Sequence, residues 1–414
     1  VNEDFWDSNA ITPGTEFIRK ISNRIKNEIK TNPLFQDTNI IFSDSSVPGE
    51  GEHKIFEYIR HTQNDDIIYN NVVYGLDADL IMLCVNHIHL NSNFYLYRET
   101  PDFIKSLNSD LNPNEAYLLD INLFASILAE ELSTGNRDRN GVLSDYILIT
   151  MMLGNDFMCH LPAINIRTGG IEKVMNAYKH LFGKTSKYLY DREYNEINYG
   201  NLKRLIELLS NNEESWFKDE HKLRNRLEKR EYSNKNKEEM YQRYLNIPTK
   251  LRDDEHYINP YKDGWQDRYY ETLFNININD AFKKQICISY LECLEWTIKY
   301  YTVGCIDWRY TYPYHYGPLL NDLHKYIPYL NTIMLEQSDV KPINKDVLLA
   351  YVLPAEKLNL LNDEAHNKLK NSKKYNEWYN TSNIELEWSY CKYVWESHAV
   401  LPEINIDELE EVLV

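Results

Sequence analysis

Five carboxylates stand at spacings that suit a divalent cation. Glu50 and Glu52 lie one residue apart in Pro48-Gly49-Glu50-Gly51-Glu52-His53-Lys54, where a glycine-containing loop enters an expected helix. Glycine permits close backbone approach and unusual dihedrals, and a helix N-terminus favours negative charge. Asp77 and Asp79 repeat the spacing in Gly75-Leu76-Asp77-Ala78-Asp79, directly after the apolar run 72–74. Two carboxylates this close repel unless a cation or donors offset them. Asp156 closes an apolar stretch in Leu153-Gly154-Asn155-Asp156-Phe157. Singly, each has a plain structural reading as a helix cap or a helix-terminal acid. Together, five oxygen ligands at the ends of apolar elements suit Mg²⁺ or Mn²⁺, which prefer oxygen and keep several waters. Such a site performs in-line displacement at phosphorus. One ion lowers the pKa of the attacking water, and a second, about 3.5–4 Å away, stabilises the leaving oxygen. The chain has no Walker-type GxxxxGK[ST] and no apparent Ser or Cys nucleophile with a matched base. Metal-dependent phosphodiester hydrolysis is the leading chemistry.

The elements that must position these residues change character along the chain. Apolar residues every four positions predict a helix over 17–30. Residues 39–43 read as a buried strand, 52–60 as a helix, 71–75 as a strand followed by 78–85, and 94–98 as another strand. Strands alternating with helices predict an α/β unit with a mainly parallel sheet, whose strand ends gather ligands. From about 113 the pattern becomes helical, over 114–132, 142–153 and 171–182. The stretch 184–262 is polar, with Lys and Arg enriched between 222 and 252, and reads as an insertion or exposed arm with a solvated charged face. A strong helix is predicted over 280–303, then an aromatic, Pro-rich loop and further helices. No internal repeat is found.

Composition narrows the class. With 414 residues, 43% hydrophobic and 26% charged, two globular domains are expected. No run approaches the roughly 18 apolar residues of a membrane helix, and the acidic, polar start VNEDFWDSN is no secretory signal. Six scattered cysteines without a CxxC pair read as reduced thiols. Cys159-His160 lacks partners at zinc spacing. The net charge of −18 argues against broad polyanion binding, yet bound cations would reverse the sign in a local channel.

Longer blocks carry a resemblance. DSNAITPGTEF (7–17), SDSSVPGEGEHKIFEYIR (43–60), YGLDADLIML (74–83) and LGNDFMCHLP (153–162) closely resemble the Xrn family of 5′→3′ exoribonucleases. IRTGGIE (166–172), GWQDRYY (264–270), WRYTYPYHYGP (308–318), YVLPAEKLNLL (351–361) and KYVWESHAVLPEINIDELEEVL (392–413) continue it in family order.

The resemblance implies an α/β FEN/PIN-like nuclease portion over 1–104, incomplete at its N-terminus, and a largely α-helical domain over 105–414. Within the latter, 105–185 completes the metal site, 186–262 is the polar insertion or arm, and 263–414 is helical. It implies processive hydrolysis of single-stranded, 5′-monophosphorylated RNA to nucleoside monophosphates with two Mg²⁺ ions, for which Mn²⁺ can substitute. Glu50, Glu52, Asp77, Asp79 and Asp156 would be the metal ligands. Asp7, Ser8 and Asn9, together with His53, Lys54 and Asn155, would support those ligands. Trp308 and Tyr310 would stack on RNA bases, with core packing as the alternative for both; the family usually has Trp at each position, so Tyr310 is a departure.

The chain begins with Val, and the family's site also draws on acidic residues and a 5′-phosphate pocket from a segment before DSN. A separately encoded N-terminal segment is therefore an expected partner, and a membrane is not. The expected location is intracellular, nuclear or cytoplasmic. Two rival readings are a catalytically impaired RNA-binding or scaffold remnant and a structure-specific FEN/PIN-type DNA nuclease.

Overall fold

The computed structural model describes residues 6–64, 66–98, 108–112, 115–276, 279–382 and 384–414. It divides into two compact units. The first comprises Val1–Lys54, Val340–Trp388 and Ser397–Val414; the second comprises Ile55–Asp339 and Ser389–Glu396.

In the first unit, the predicted early helix is present as Glu16–Thr31, capped by Thr15, whose hydroxyl accepts the Ile18 N–H at 3.4 Å. Capping satisfies an amide that the helix itself cannot. The unit's core joins Val347 and Leu349 of helix Lys345–Val352 to Leu369, Trp378, Leu409 and Leu413. Gly14 adopts φ 95°, left-handed backbone that glycine tolerates, in the turn against Leu349. The strand expected over 39–43 does not form a ladder among the described residues, and Ile41 is exposed. An apolar run becomes a strand only where a neighbour meets its N–H and C=O groups.

The second unit holds strands β1 (Tyr69–Tyr74), β2 (Ser92–Arg98) and β3 (Tyr117–Asp120) in one sheet of order β1-β2-β3. β1 and β2 run parallel with Tyr74 opposite Tyr97, joined through helix Asp79–His87. β2 and β3 run antiparallel. The described sheet is thus small and mixed rather than mainly parallel. The helix expected over 114–132 begins only at Ile121; residue 114 lies outside the described residues. Asp120 accepts the Leu123 N–H at 2.9 Å and starts the helix there, while 117–120 pair with β2. Periodicity alone does not separate a short apolar strand from the first turn of a helix.

Apart from the short hairpin of Tyr190–Asp191 with Glu196–Ile197, helices carry most of the rest of this unit, including Arg139–Met151, Gly170–Phe182, Tyr199–Ser210 and the long helix Asp280–Thr302. Among the described residues no helix is long and apolar enough to cross a membrane. The stretch read as a polar arm is in large part built into the core. Tyr199, Leu202, Leu205, Ile206 and Phe217 are buried there, and the charges are not all solvated. Arg224 and Arg252 are buried around Glu255, with guanidinium-to-carboxylate distances of 2.6–2.7 Å. Composition misled here because the charges pair across helices, and pairing is invisible to local polarity.

One buried histidine gives this unit a pH response. His87 Nε2 accepts from the Arg60 guanidinium at 2.9 Å, and Nδ1 donates to the Leu83 carbonyl at 2.7 Å. Burial, reinforced by Arg60, pushes its pKa down to about 3. A depressed folded-state pKa contributes stability that is complete above the unfolded value near 6.5 and lost as pH falls below it. The stability difference between wild type and His87→Gln is expected to shrink by about 2 kcal/mol between pH 7 and pH 5. Urea unfolding at both pH values measures it; a constant difference would refute the assignment.

Candidate active site

Glu50 and Glu52 belong to the first unit. Helix Gly51–Thr62 starts one residue after Glu50, whose carbonyl accepts the Lys54 N–H at 3.1 Å, so Glu52 sits in the first turn. Gly49, at φ 91°, makes the turn that delivers the chain to this helix. The loop is cinched by Lys54, whose ammonium donates to the Val47 carbonyl at 2.8 Å, and by the 2.5 Å pair of Lys26 with Asp44. His53 is buried, with Nε2 at 3.6 Å from a Glu50 carboxylate oxygen. Asp7 accepts from the Asn9 side chain at 2.9 Å and pairs with Lys357 at 2.8 Å. Those bonds hold its pKa down at about 2. Ser8 opens the single helical turn Ser8–Ile11 that Asp7 caps. The 7–15 segment is a brace within this unit, tied to the region around Lys357.

Asp77, Asp79 and Asp156 belong to the second unit. The first two follow the carboxyl end of β1, and Asp79 opens helix Asp79–His87. Asp77 accepts the Asp79 N–H at 3.2 Å, and Asp79 Oδ2 accepts the hydroxyl of Tyr301 at 2.8 Å. Asp77 is exposed and Asp79 half-buried. Asp156 is exposed in the loop after helix Arg139–Met151, where Gly154 turns at φ 94°. Asn155 folds that loop: its Oδ1 accepts the Phe157 and Met158 N–H groups at 2.9 and 3.0 Å. The Thr150 hydroxyl reaches the Met82 sulfur at 4.0 Å, so the end of one helix meets the first turn of the other.

The long helix Asp280–Thr302 steadies both acidic positions. Near its C-terminus Tyr301 holds Asp79. The adjacent Tyr300 and, a turn earlier, Trp296 pack on Phe157, the neighbour of Asp156, with ring centroids 5.4 and 5.3 Å away. Sequence reading recognised this helix but singled out none of these aromatics. The available signal was the i, i+4 spacing of Trp296 and Tyr300, which puts both rings on one face. The expected stacking residues separate. Tyr310 is packed against Trp296, with centroids 6.0 Å apart at 23°, and donates to the Ser289 carbonyl at 3.1 Å. Trp308 keeps 36% of its surface exposed.

Among the described residues, no three His, Cys, Asp or Glu side chains gather closely enough to hold a metal ion by themselves. The donor set is nonetheless oxygen-only. Mg²⁺ commonly uses one or two carboxylates and completes its shell with water and substrate phosphate. Asp77 and Asp79 supply that number, so the residues fit the ion in kind.

Comparison with known proteins matches residues 1–100 to the family profile described as XRN 5′-3′ exonuclease N-terminus. Residues 136–255 and 248–414 match the profile described as Xrn1 helical domain. The chain is 26% identical to the 5′-3′ exoribonuclease 2 homolog of Drosophila melanogaster, across 99% of this chain and 54% of that protein. With the 5′-3′ exoribonuclease 1 of Homo sapiens it shares 28% identity, across 99% of this chain and 26% of that protein. With the 5′-3′ exoribonuclease 2 of Arabidopsis thaliana the values are 25%, 99% and 52%. The chain thus spans between about a quarter and about half of these relatives' length.

Proposed function

This chain belongs to the Xrn 5′-3′ exonuclease family, and on that premise we propose that it hydrolyses single-stranded RNA from a 5′ monophosphate, releasing nucleoside monophosphates in RNA turnover. The observation that carries the reading is the anchoring of Asp79 and the Asp156 loop by one helix. A ligand set held from a common rigid element keeps the spacing that displacement at phosphorus requires.

In this reading Glu50, Glu52, Asp77, Asp79 and Asp156 hold two Mg²⁺ ions, which Mn²⁺ can replace. Such ions, when bound, activate water and stabilise the leaving oxygen. Asp79 is oriented through its Oδ2 by the Tyr301 hydroxyl. Trp308 offers an exposed ring on which a base can stack, at about 1–3 kcal/mol per base without regard to sequence. Tyr310 holds the loop beneath it. Six free cysteines suit a reducing compartment and support the reading of an intracellular protein, nuclear or cytoplasmic. A second reading, an RNA-binding family member without catalysis, draws on the lack of a three-ligand cluster among the described residues.

The test compares 5′-phosphorylated and 5′-hydroxyl RNA in Mg²⁺, with this chain alone and with a family N-terminal segment supplied in trans. Mn²⁺ binding is followed separately by electron paramagnetic resonance. Nucleoside monophosphate release confined to the 5′-phosphorylated RNA is expected. No release in any arm, with no Mn²⁺ bound, would overturn the enzyme reading. Tyr301→Phe removes only the hydroxyl bonded to Asp79 and is expected to weaken Mn²⁺ binding or hydrolysis by about 10–100-fold, the usual effect of losing an outer partner of a ligand. Unchanged Mn²⁺ affinity and rate would remove Tyr301 from the site.

A further inference from the structure

The charge of this chain is unevenly distributed. Between 222 and 252 ten Lys and Arg stand against four Glu, a net charge of +6 within a chain of −18. Part of this charge is structural. Arg224 and Arg252 are consumed by Glu255, and Lys250 donates to the Leu227, Glu228 and Arg230 carbonyls. The other seven are exposed: Lys222, which pairs with Asp219, and Arg226, Lys229, Arg230, Lys235, Lys237 and Arg243.

Exposed rings stand among these cations. Helix Lys237–Leu245 presents Met240, Tyr241 and Tyr244 with 57%, 54% and 54% of their surfaces open. Met240, Arg243 and Tyr244 of this helix also line a cavity of about 480 Å³, together with Asn234, Ile247 and Lys250 among others. The same helix packs against the short turn Val394–Glu396. That turn carries Trp395, 64% exposed and stacked on Tyr393 with centroids 5.5 Å apart at 19°. The Lys392 ammonium lies 4.8 Å from the Tyr393 ring centroid.

We propose that helix Lys237–Leu245 and the Tyr393–Trp395 stack form a docking face for single-stranded RNA that uses none of the five candidate metal ligands. The occupant is chosen by charge and shape. A polyanion gains from displacing counterions at Lys237 and Arg243 of the helix and at Lys392 beside the Tyr393 ring, and the exposed rings of the same elements accept bases irrespective of sequence. A protein partner would need acidic residues throughout its contact and would leave the exposed rings no comparable role. The inference rests on RNA being this chain's ligand. It gives the acidic chain a local place to hold RNA that the net charge conceals.

The test measures anisotropy of a fluorescent 5′-hydroxyl oligouridylate with the full chain in EDTA, across a salt series. Neither catalysis nor metal is involved, so failure of the nuclease reading leaves the result interpretable. Lys237→Glu with Arg243→Glu is expected to weaken binding at least tenfold and to flatten the log K against log salt slope by about 1.4 if both contact phosphate. Trp395→Ala is expected to cost about 5- to 150-fold with little change of slope, as loss of one stacked base. All three side chains are exposed, and circular dichroism checks that each variant is folded. Wild-type affinity in both variants would overturn the proposal.

Discussion

Asp79→Asn is expected to lower nucleoside monophosphate release from 5′-phosphorylated RNA by more than about 100-fold, beyond the range typical of losing a ligand's outer partner. The exchange removes the negative charge but keeps an acceptor for the Tyr301 hydroxyl, now 2.8 Å from Asp79 Oδ2. Asp79 is half-buried at a helix start, so the unfolding midpoint should move little. Adding Tyr301→Phe to Asp79→Asn should cost far less than Tyr301→Phe alone. The hydroxyl acts through that carboxylate, and coupled residues are not additive. Paired kinetics and Mn²⁺ titrations measure both effects. Hydrolysis at the wild-type rate in Asp79→Asn would eliminate Asp79 as a ligand, and full additivity would mean Tyr301 acts elsewhere.

The second large effect is on stability. Glu255 is buried between Arg224 and Arg252 and also accepts the Tyr390 N–H at 2.9 Å. Burial alone would raise its pKa, but the two guanidiniums hold it below its ordinary value. Glu255→Ala leaves two buried cations without their common partner, at a cost of about 3–5 kcal/mol. Glu255→Gln keeps the side-chain shape and one acceptor oxygen but turns an NH₂ toward N–H donors, so its cost should fall between. Equilibrium urea unfolding of the full chain decides this; a loss below about 1 kcal/mol in the alanine variant would mean the cations are hydrated or paired elsewhere. The result would also separate the two roles of the basic stretch, since Arg224 and Arg252 lock the fold while Arg243 and Lys237 face outward.

Much of the candidate chemistry was legible in short motifs. Paired acids beside glycines, Asp77 and Asp79 after an apolar strand, and Asp156 after an apolar helix each sit where the spacing predicts. Local rules suffice there, because a loop-to-helix entry and a strand end are set by residues within one turn. The helix Asp280–Thr302 was legible for the same reason.

Other features depended on partners distant in the chain. Residues 39–43 are apolar enough for a strand, yet strands are made by neighbours. Residues 117–120 became one because β2 offered an edge and Asp120 capped what followed. The stretch 184–262 looked like an arm because its cations and acids are close in sequence to polar residues, while Arg224 is matched by Glu255 across 31 positions. Asp79 and Tyr301 are 222 residues apart, and no periodicity announces that bond.

By itself, then, the sequence marked five carboxylates as candidates for the chemistry and identified the family to which their blocks belong. Tertiary structure alone decided what holds Asp79 and Asp156 in place, that Tyr310 is packing while Trp308 stays open, and which of the basic residues face water. The division follows from range. Type and spacing encode what neighbours along the chain can do, whereas burial, ion pairing and ring packing exist only once distant segments meet.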